Sequence, residues 1–95
     1  MAKVLNVGII GQGRSGYSIH ARTIKKFPEK FRIAAVSDMD EGYRRRAVDE
    51  FGCDAYADYK ALLERRDLDL IVNASPSHLH VPLTEEFLLQ GFNVL

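Results

Sequence analysis

Apolar residues fall along this chain in two rhythms that take turns. Val4-Leu5-Asn6-Val7-Gly8-Ile9-Ile10, Phe31-Arg32-Ile33-Ala34-Ala35-Val36-Ser37 and Leu68-Asp69-Leu70-Ile71-Val72-Asn73 are short, nearly continuous apolar runs. Runs of that kind predict strands covered on both faces. We place them at residues 3–10, 31–37 and 68–73. The stretches between them carry helical spacing. From Ser15 to about Lys26, Ile19, Ile24 and Phe27 fall near one face while Arg22, Lys25 and Lys26 face water, and Pro28 stops the helix. Asp40 is an N-cap for a helix over Glu41–Phe51 that Gly52 closes. Cys53–Tyr56 reads as a short extended piece. A third helix follows from Asp58, with Tyr59, Leu62 and Leu63 as its buried stripe. Ala74–His80 is a turn, and the last helix starts around Val81 with Pro82 in its first turn and Gly91 at its end. Phe92-Asn93-Val94-Leu95 opens one more strand.

Strands alternating with helices predict an α/β fold, a doubly wound parallel sheet with right-handed crossovers. In the expected order the second and third main strands stack outward on one side of the first, and the fourth crosses to the other side. The chain would then hold one wall of the ligand crevice and only the start of the other. A final strand that has barely begun, with no cap, turn or polar tail, reads as truncated at the start of the fourth main strand. The whole chain, 1–95, is expected to be the incomplete front domain of a longer protein, with an unpaired sheet edge that leaves it poorly stable or self-associating when alone.

The chemistry concentrates where the first strand meets the first helix. Gly11-Gln12-Gly13-Arg14-Ser15-Gly16 is Gly-x-Gly-x-x-Gly, and each glycine has its own task. Gly11 turns the chain sharply out of the strand, Gly13 lets the backbone approach a pyrophosphate, and Gly16 lets the helix pack on the sheet. The N–H groups and dipole of that helix start form an anion site. Asp38, twenty-two residues past Gly16, ends the second strand where a carboxylate accepts hydrogen bonds from the ribose hydroxyls of NAD and repels the 2′-phosphate of NADP. This context, a strand before the glycines, a helix after them and an acid further on, makes the turn a dinucleotide site of Rossmann type. A domain binding S-adenosylmethionine also uses glycines and an acid, but the spacing of Gly11, Gly13 and Gly16 fits a pyrophosphate better.

Arg44, Arg45 and Arg46 form a basic cluster with two readings, a solvated helix face or contacts to adenine or a 2′-phosphate. They leave NADP open beside NAD. The second candidate site is Ser75-Pro76-Ser77-His78-Leu79-His80, at the carboxyl end of a strand, the edge where ligands bind in open α/β sheets. His80 reads as a hydrogen-bonding residue beside the cofactor or a helix-entry cap, His78 as loop surface, and His20 as a packing histidine. Two histidines with no cysteine or third histidine beside them do not make a metal site.

The bulk properties narrow the class. Ninety-five residues make one small domain, and thirteen acidic residues balance thirteen basic ones, so no net field points to nucleic acid or to an anionic membrane. No apolar run approaches the ~20 residues of a membrane span, and the Met-Ala-Lys start lacks a secretory apolar region. The single cysteine, Cys53, reads as a buried or half-buried thiol. A soluble cytoplasmic protein follows.

The motif residues together resemble the amino-terminal domain of the Gfo/Idh/MocA oxidoreductases, the glucose–fructose oxidoreductase and inositol dehydrogenase family. The likeness is carried by Val7–Gly16, by Ala35-Val36-Ser37-Asp38, by Leu68–Pro76 with His80 four residues on, and by Gly91–Leu95. It covers essentially the whole chain. The resemblance implies NAD(P)-dependent hydride transfer on a sugar, polyol or related small hydroxy compound, with Gly11, Gln12, Gly13, Arg14, Ser15, Gly16, Asp38, Ser75, Pro76 and His80 on the cofactor. It also implies that the strand opening at Phe92 continues into a Glu-Lys-Pro motif, and that a larger carboxyl-terminal domain supplies the groups acting on the substrate. No catalytic residue is then expected among these residues, and the whole protein is expected to be a homo-oligomer. A non-catalytic module that senses NAD(H) is the alternative.

Overall fold

The structure, a computed structural model, describes residues 4–13 and 20–95. Four strands, β1 (Leu5–Ile10), β2 (Phe31–Ser37), β3 (Asp54–Tyr56) and β4 (Leu70–Asn73), form one parallel sheet in the order β3-β2-β1-β4. Between them run α1 (Arg22–Lys25), α2 (Glu41–Phe51) and α3 (Lys60–Leu63). After β4 a short 3-10 turn (Ser77–Leu79) leads into α4 (His80–Leu89). Val94 then makes a single parallel bridge to Ile71, outside β4.

Successive strand residues feed opposite faces, as the two-residue period of a strand requires. Val7, Ile9, Val36 and Val72 pack with Ala21, Ala47 and Cys53 on the side of α1 and α2. Ile10, Ala35 and Ile71 pack with Leu62, Leu83, Phe87 and Phe92 on the side of α3 and α4. The register slips between Val7 and Gly8, whose partners are Ile33 and Ala35. That extra residue is Ala34, which joins Ala35 on the α3/α4 side instead of alternating with it. Burial pushes the Cys53 thiol up to about 11, so this buried sulfur stays protonated at neutral pH.

The predicted elements are present with local adjustments. Asp40 caps α2 by accepting from the Tyr43 N–H at 3.0 Å, and Gly52 ends the helix with φ 63°. The third helix starts two residues later than expected, because Asp58 Oδ1 accepts from the Lys60 N–H and works as its entry turn. The last helix begins at His80, one residue early, and Gly91 follows it at φ 90°. The expected start of the first helix, with Ser15, Gly16 and Ile19, lies outside the described residues. Within them, Ala21 is fully buried while Phe27 stays 42% exposed under the Lys30 ammonium.

Strand order is where the structure departs from expectation. The third main strand, Leu70–Asn73, does not stack beyond β2. It crosses to the far side of β1. The place beside β2 is taken by the short piece Asp54–Tyr56, through Ala35, Val36 and Ser37. With that edge filled, the free edge of β1 must be paired by the next apolar strand, since unpaired backbone next to a core is costly. The switch point therefore falls between β1 and β4, and the chain carries both walls of the crevice. No described helix is long and apolar enough to cross a membrane.

Phe87 centres the α4 side: it is fully buried, with the Phe92 ring edge-on at 5.4 Å and Tyr59 at 6.1 Å. Phe87→Ala should lower the unfolding free energy by about 3–5 kcal/mol, read from urea midpoints. Val81→Ala, on the 66%-exposed side of the same helix, should change it by no more than about 0.5 kcal/mol.

Candidate functional site

The carboxyl ends of β1, β2 and β4 meet at Gly11. Its N–H donates to the Ser37 carbonyl at 2.7 Å, while the Ala74 N–H donates to the Ile10 carbonyl at 2.9 Å. The chain leaves β1 through this gap at φ 93°, and a Cβ on Gly11 would stand 2.6 Å from the Ala74 carbonyl oxygen. Two independent constraints, backbone conformation and space, thus demand glycine there. At Gly13 the nearest obstacle to a Cβ among the described residues is the Tyr43 ring at 3.8 Å, an ordinary van der Waals contact.

Asp38 joins the loop to α2. Its Oδ2 accepts from the Gln12 N–H at 2.7 Å, and its Oδ1 accepts from the Asp40 N–H at 2.8 Å. Each carboxylate oxygen keeps lone pairs for further donors. Gln12 is fully buried, and its Oε1 has no hydrogen-bond partner among the described residues. On the opposite wall Asn73 organises the Ser75-Pro76 turn. Its Oδ1 accepts from the Ser75 hydroxyl at 2.6 Å, and its Nδ2 donates to the His80 carbonyl and the Thr84 hydroxyl at 3.0 Å each.

Two cavities adjoin along Gly11, Asp38, Ser75 and Pro76. The larger, about 610 Å³, has an apolar wall of Met39, Tyr59, Leu79 and Leu83. The smaller, about 450 Å³, adds Gly13, Ala74 and His80. The Tyr59 hydroxyl donates to Glu86 at 2.7 Å, and this bond raises the phenol's pKa and fixes the ring at the cleft's rim. The result is one groove, with an apolar end, the Asp38 carboxylate where the two cavities adjoin, and a glycine-lined end.

The chain from residue 5 to 95 matches the model of the oxidoreductase family with an NAD-binding Rossmann fold, Gfo/Idh/MocA. The chain belongs to this family. It is 44% identical over 61 residues to a dTDP-3,4-didehydro-2,6-dideoxy-alpha-D-glucose 3-reductase of Streptomyces violaceoruber, covering 64% of this chain and 18% of that protein. The scyllo-inositol dehydrogenase of Lactobacillus casei, solved with NAD(H) and scyllo-inositol, superposes with a TM-score of 0.88 at 28% identity, over 97% of this chain and 27% of its own. A 3-ketoreductase of Actinomadura kijaniata, solved with NADP and TDP-benzene, gives 0.88 at 26%, over 98% and 28%. The chain spans less than a third of the length of each of these relatives.

The residues present fit the NAD that this family binds. A cavity lined by Gly13, a carboxylate with unused lone pairs at Asp38 and an apolar slot lie in the sequence a dinucleotide needs. Of the expected site residues, Gly11, Gly13, Asp38, Ser75, Pro76 and His80 converge on the groove. Gln12 lies behind it, as a buried support of Asp38. Arg14, Ser15 and Gly16 lie outside the described residues. His78 is exposed in the turn before α4. Sequence reasoning passed over Asn73, two residues before Ser75-Pro76, and Leu79 with Leu83, whose four-residue spacing puts them on one helix face.

The arginine cluster divides in a way neither reading anticipated. Arg44 donates to the carbonyls of Asp38 and Met39, at 2.9 and 3.0 Å. Arg46 donates to the Gln12 carbonyl and lies over the Tyr43 ring, 4.9 Å from its centroid. Arg45, paired with Glu41, alone lies on a solvated face. Two of the three are built into the site's frame.

Gly11→Ala tests that frame. Gly52→Ala bears only a left-handed backbone, with nothing among the described residues within 4 Å of the added carbon, and should cost about 1–2 kcal/mol. Gly11→Ala adds the collision with Ala74 and should cost at least about 1 kcal/mol more, as for other strained sites. Paired urea titrations of the two variants give the difference.

Proposed function

We propose that this chain is the cofactor-binding domain of an NAD-dependent dehydrogenase or reductase acting on a sugar, polyol or related hydroxy compound. The observation that carries this reading is Asp38, placed between an apolar slot and a glycine-lined cavity with its carboxylate already oriented by two backbone amides. In that reading the adenine lies against Met39, Tyr59 and Leu79, and the ribose hydroxyls donate to Asp38. The pyrophosphate follows the loop from Gly11 through Gly16, with Arg14 and Ser15 in its path. Ser75, Pro76 and His80 line the far side, toward the reacting end. NAD, when bound, supplies the hydride acceptor or donor.

The substrate preference rests on the relatives, which are named for inositol and for dTDP-sugar chemistry. Their greater length supports a further, substrate-binding domain in the whole protein, and the acid–base groups that handle the hydroxyl proton are assigned there. A cytoplasmic homo-oligomer is the setting we infer.

Cofactor choice follows from Asp38. Its carboxylate repels a 2′-phosphate and accepts from the 2′-hydroxyl, so NAD should bind more tightly than NADP. Arg44 is the arginine nearest in sequence and bonding to Asp38, but it donates to main-chain carbonyls there.

Asp38→Ala removes the ribose acceptor and also releases the Gln12 and Asp40 amides, so both cofactors should weaken. Asp38→Asn keeps one carbonyl acceptor and removes the charge. It should cost NAD about one to two decades in affinity, the worth of a charge-assisted hydrogen bond, and narrow the NAD/NADP ratio. Calorimetric titration of both cofactors at fixed salt measures this. Absence of NAD binding to the unsubstituted protein, or an unchanged ratio in Asp38→Asn, would refute the assignment.

A further inference from the structure

The peptide unit between Gln12 and Gly13 connects α2 with the phosphate end of the groove. Gln12 is held at both of its main-chain polar atoms. Its N–H is committed to Asp38 Oδ2, and its carbonyl accepts from Arg46 Nη2, thirty-four residues away in sequence. Gly13 lines the smaller cavity, whereas neither Gln12 nor Arg46 is among the described residues that do so. The peptide is trans. In a planar trans peptide the carbonyl and the next residue's N–H point in opposite directions. Whatever fixes the Gln12 carbonyl therefore also fixes the direction of the Gly13 N–H.

We propose that Arg46 is a positioning residue for the phosphate loop: by drawing the Gln12 carbonyl toward α2, it aims the Gly13 N–H into the groove. This inference rests on the reading of the groove as a dinucleotide site. Anion cradles work by presenting N–H groups inward, and a carbonyl oxygen turned the same way would repel a phosphate. The guanidinium is suited to the task because it is pinned. Tyr43 sits one turn earlier on the same helix face, with its ring under Arg46 and its edge beside Gly13. The Tyr43 backbone is itself tied to the Asp40 cap. Arg46 also leaves its charge near the loop without occupying the space of the ligand. Its neighbours do other work: Arg44 closes the end of β2, and Arg45 faces water with Glu41.

The role predicts which ligands notice a substitution. Arg46→Met keeps an apolar stem over Tyr43 and removes the donor. In the full chain it should weaken NAD, NADP and ADP-ribose alike by about tenfold, the loss of one charge-assisted bond, and leave adenosine within about twofold. Arg46→Lys, which retains a cationic donor, should recover part of that loss. The Gly13 amide resonance, assigned by NMR, should shift in Arg46→Met without ligand.

Loss confined to NADP would make Arg46 a 2′-phosphate ligand and overturn the proposal. Equal loss for adenosine and ADP-ribose would mean general loosening, and would overturn it too, as would no loss at all. If Arg46→Met fails to fold, the same ligand comparison in Arg46→Lys decides: a loss limited to pyrophosphate-bearing ligands supports the role, and a uniform loss or none refutes it. Failure of the unsubstituted chain to bind ADP-ribose would instead overturn the dinucleotide reading, and this inference with it.

Discussion

The end of β1 is enclosed on both sides, and the rest of the site depends on how the chain escapes from it. Backbone bonds tie Gly11 to Ser37 of β2 and Ala74 to Ile10, so the neighbouring strands close around the turn. The exit at φ 93°, 2.6 Å from a carbonyl oxygen at the position of a missing Cβ, exists only because residue 11 has no side chain. That narrow exit sends the loop across the top of the sheet instead of along it.

Asp38 and the first two turns of α2 then hold the loop in place. One carboxylate supports both the loop, through Gln12, and the entry of α2, through Asp40. The helix returns the support with Tyr43 and Arg46 on one face. A charged frame of this kind serves binding in a specific way. Two backbone amides orient the Asp38 carboxylate in the free protein, so a ligand that used it would find it already ordered. The guanidinium groups of Arg44 and Arg46 satisfy main-chain carbonyls around it. The opposite wall is built more simply, by Asn73 holding the Ser75-Pro76 turn against α4.

Much of this was legible in the residues. The apolar runs became β1, β2 and β4, Asp40 and Gly52 bounded α2 at the expected residues, and Gly11, Gly13, Asp38, Ser75, Pro76 and His80 met in one groove. These features rest on interactions within a few positions of each residue: a cap and its helix, a glycine and its turn, a period and its face. Such signals are complete in the local sequence.

The strand order and the work of the arginines were settled elsewhere. Which edge of β1 accepts Leu70–Asn73 depended on three residues, Asp54–Tyr56, filling the place beside β2, and a piece that short has no periodicity to read. Arg44, Arg45 and Arg46 are identical as letters, yet their partners are two strand-end carbonyls, a solvated glutamate and a loop carbonyl thirty-four residues away. Helix phase points each guanidinium in a different direction, but only the packing of α2 against the sheet determines what stands there. The sequence alone thus determined the strands and helices, the cap and stop of α2, and which glycines and which acid meet at the groove. The tertiary structure alone decided which strands flank β1, and which charges support the groove without entering it, because those outcomes are contacts between segments far apart in the chain.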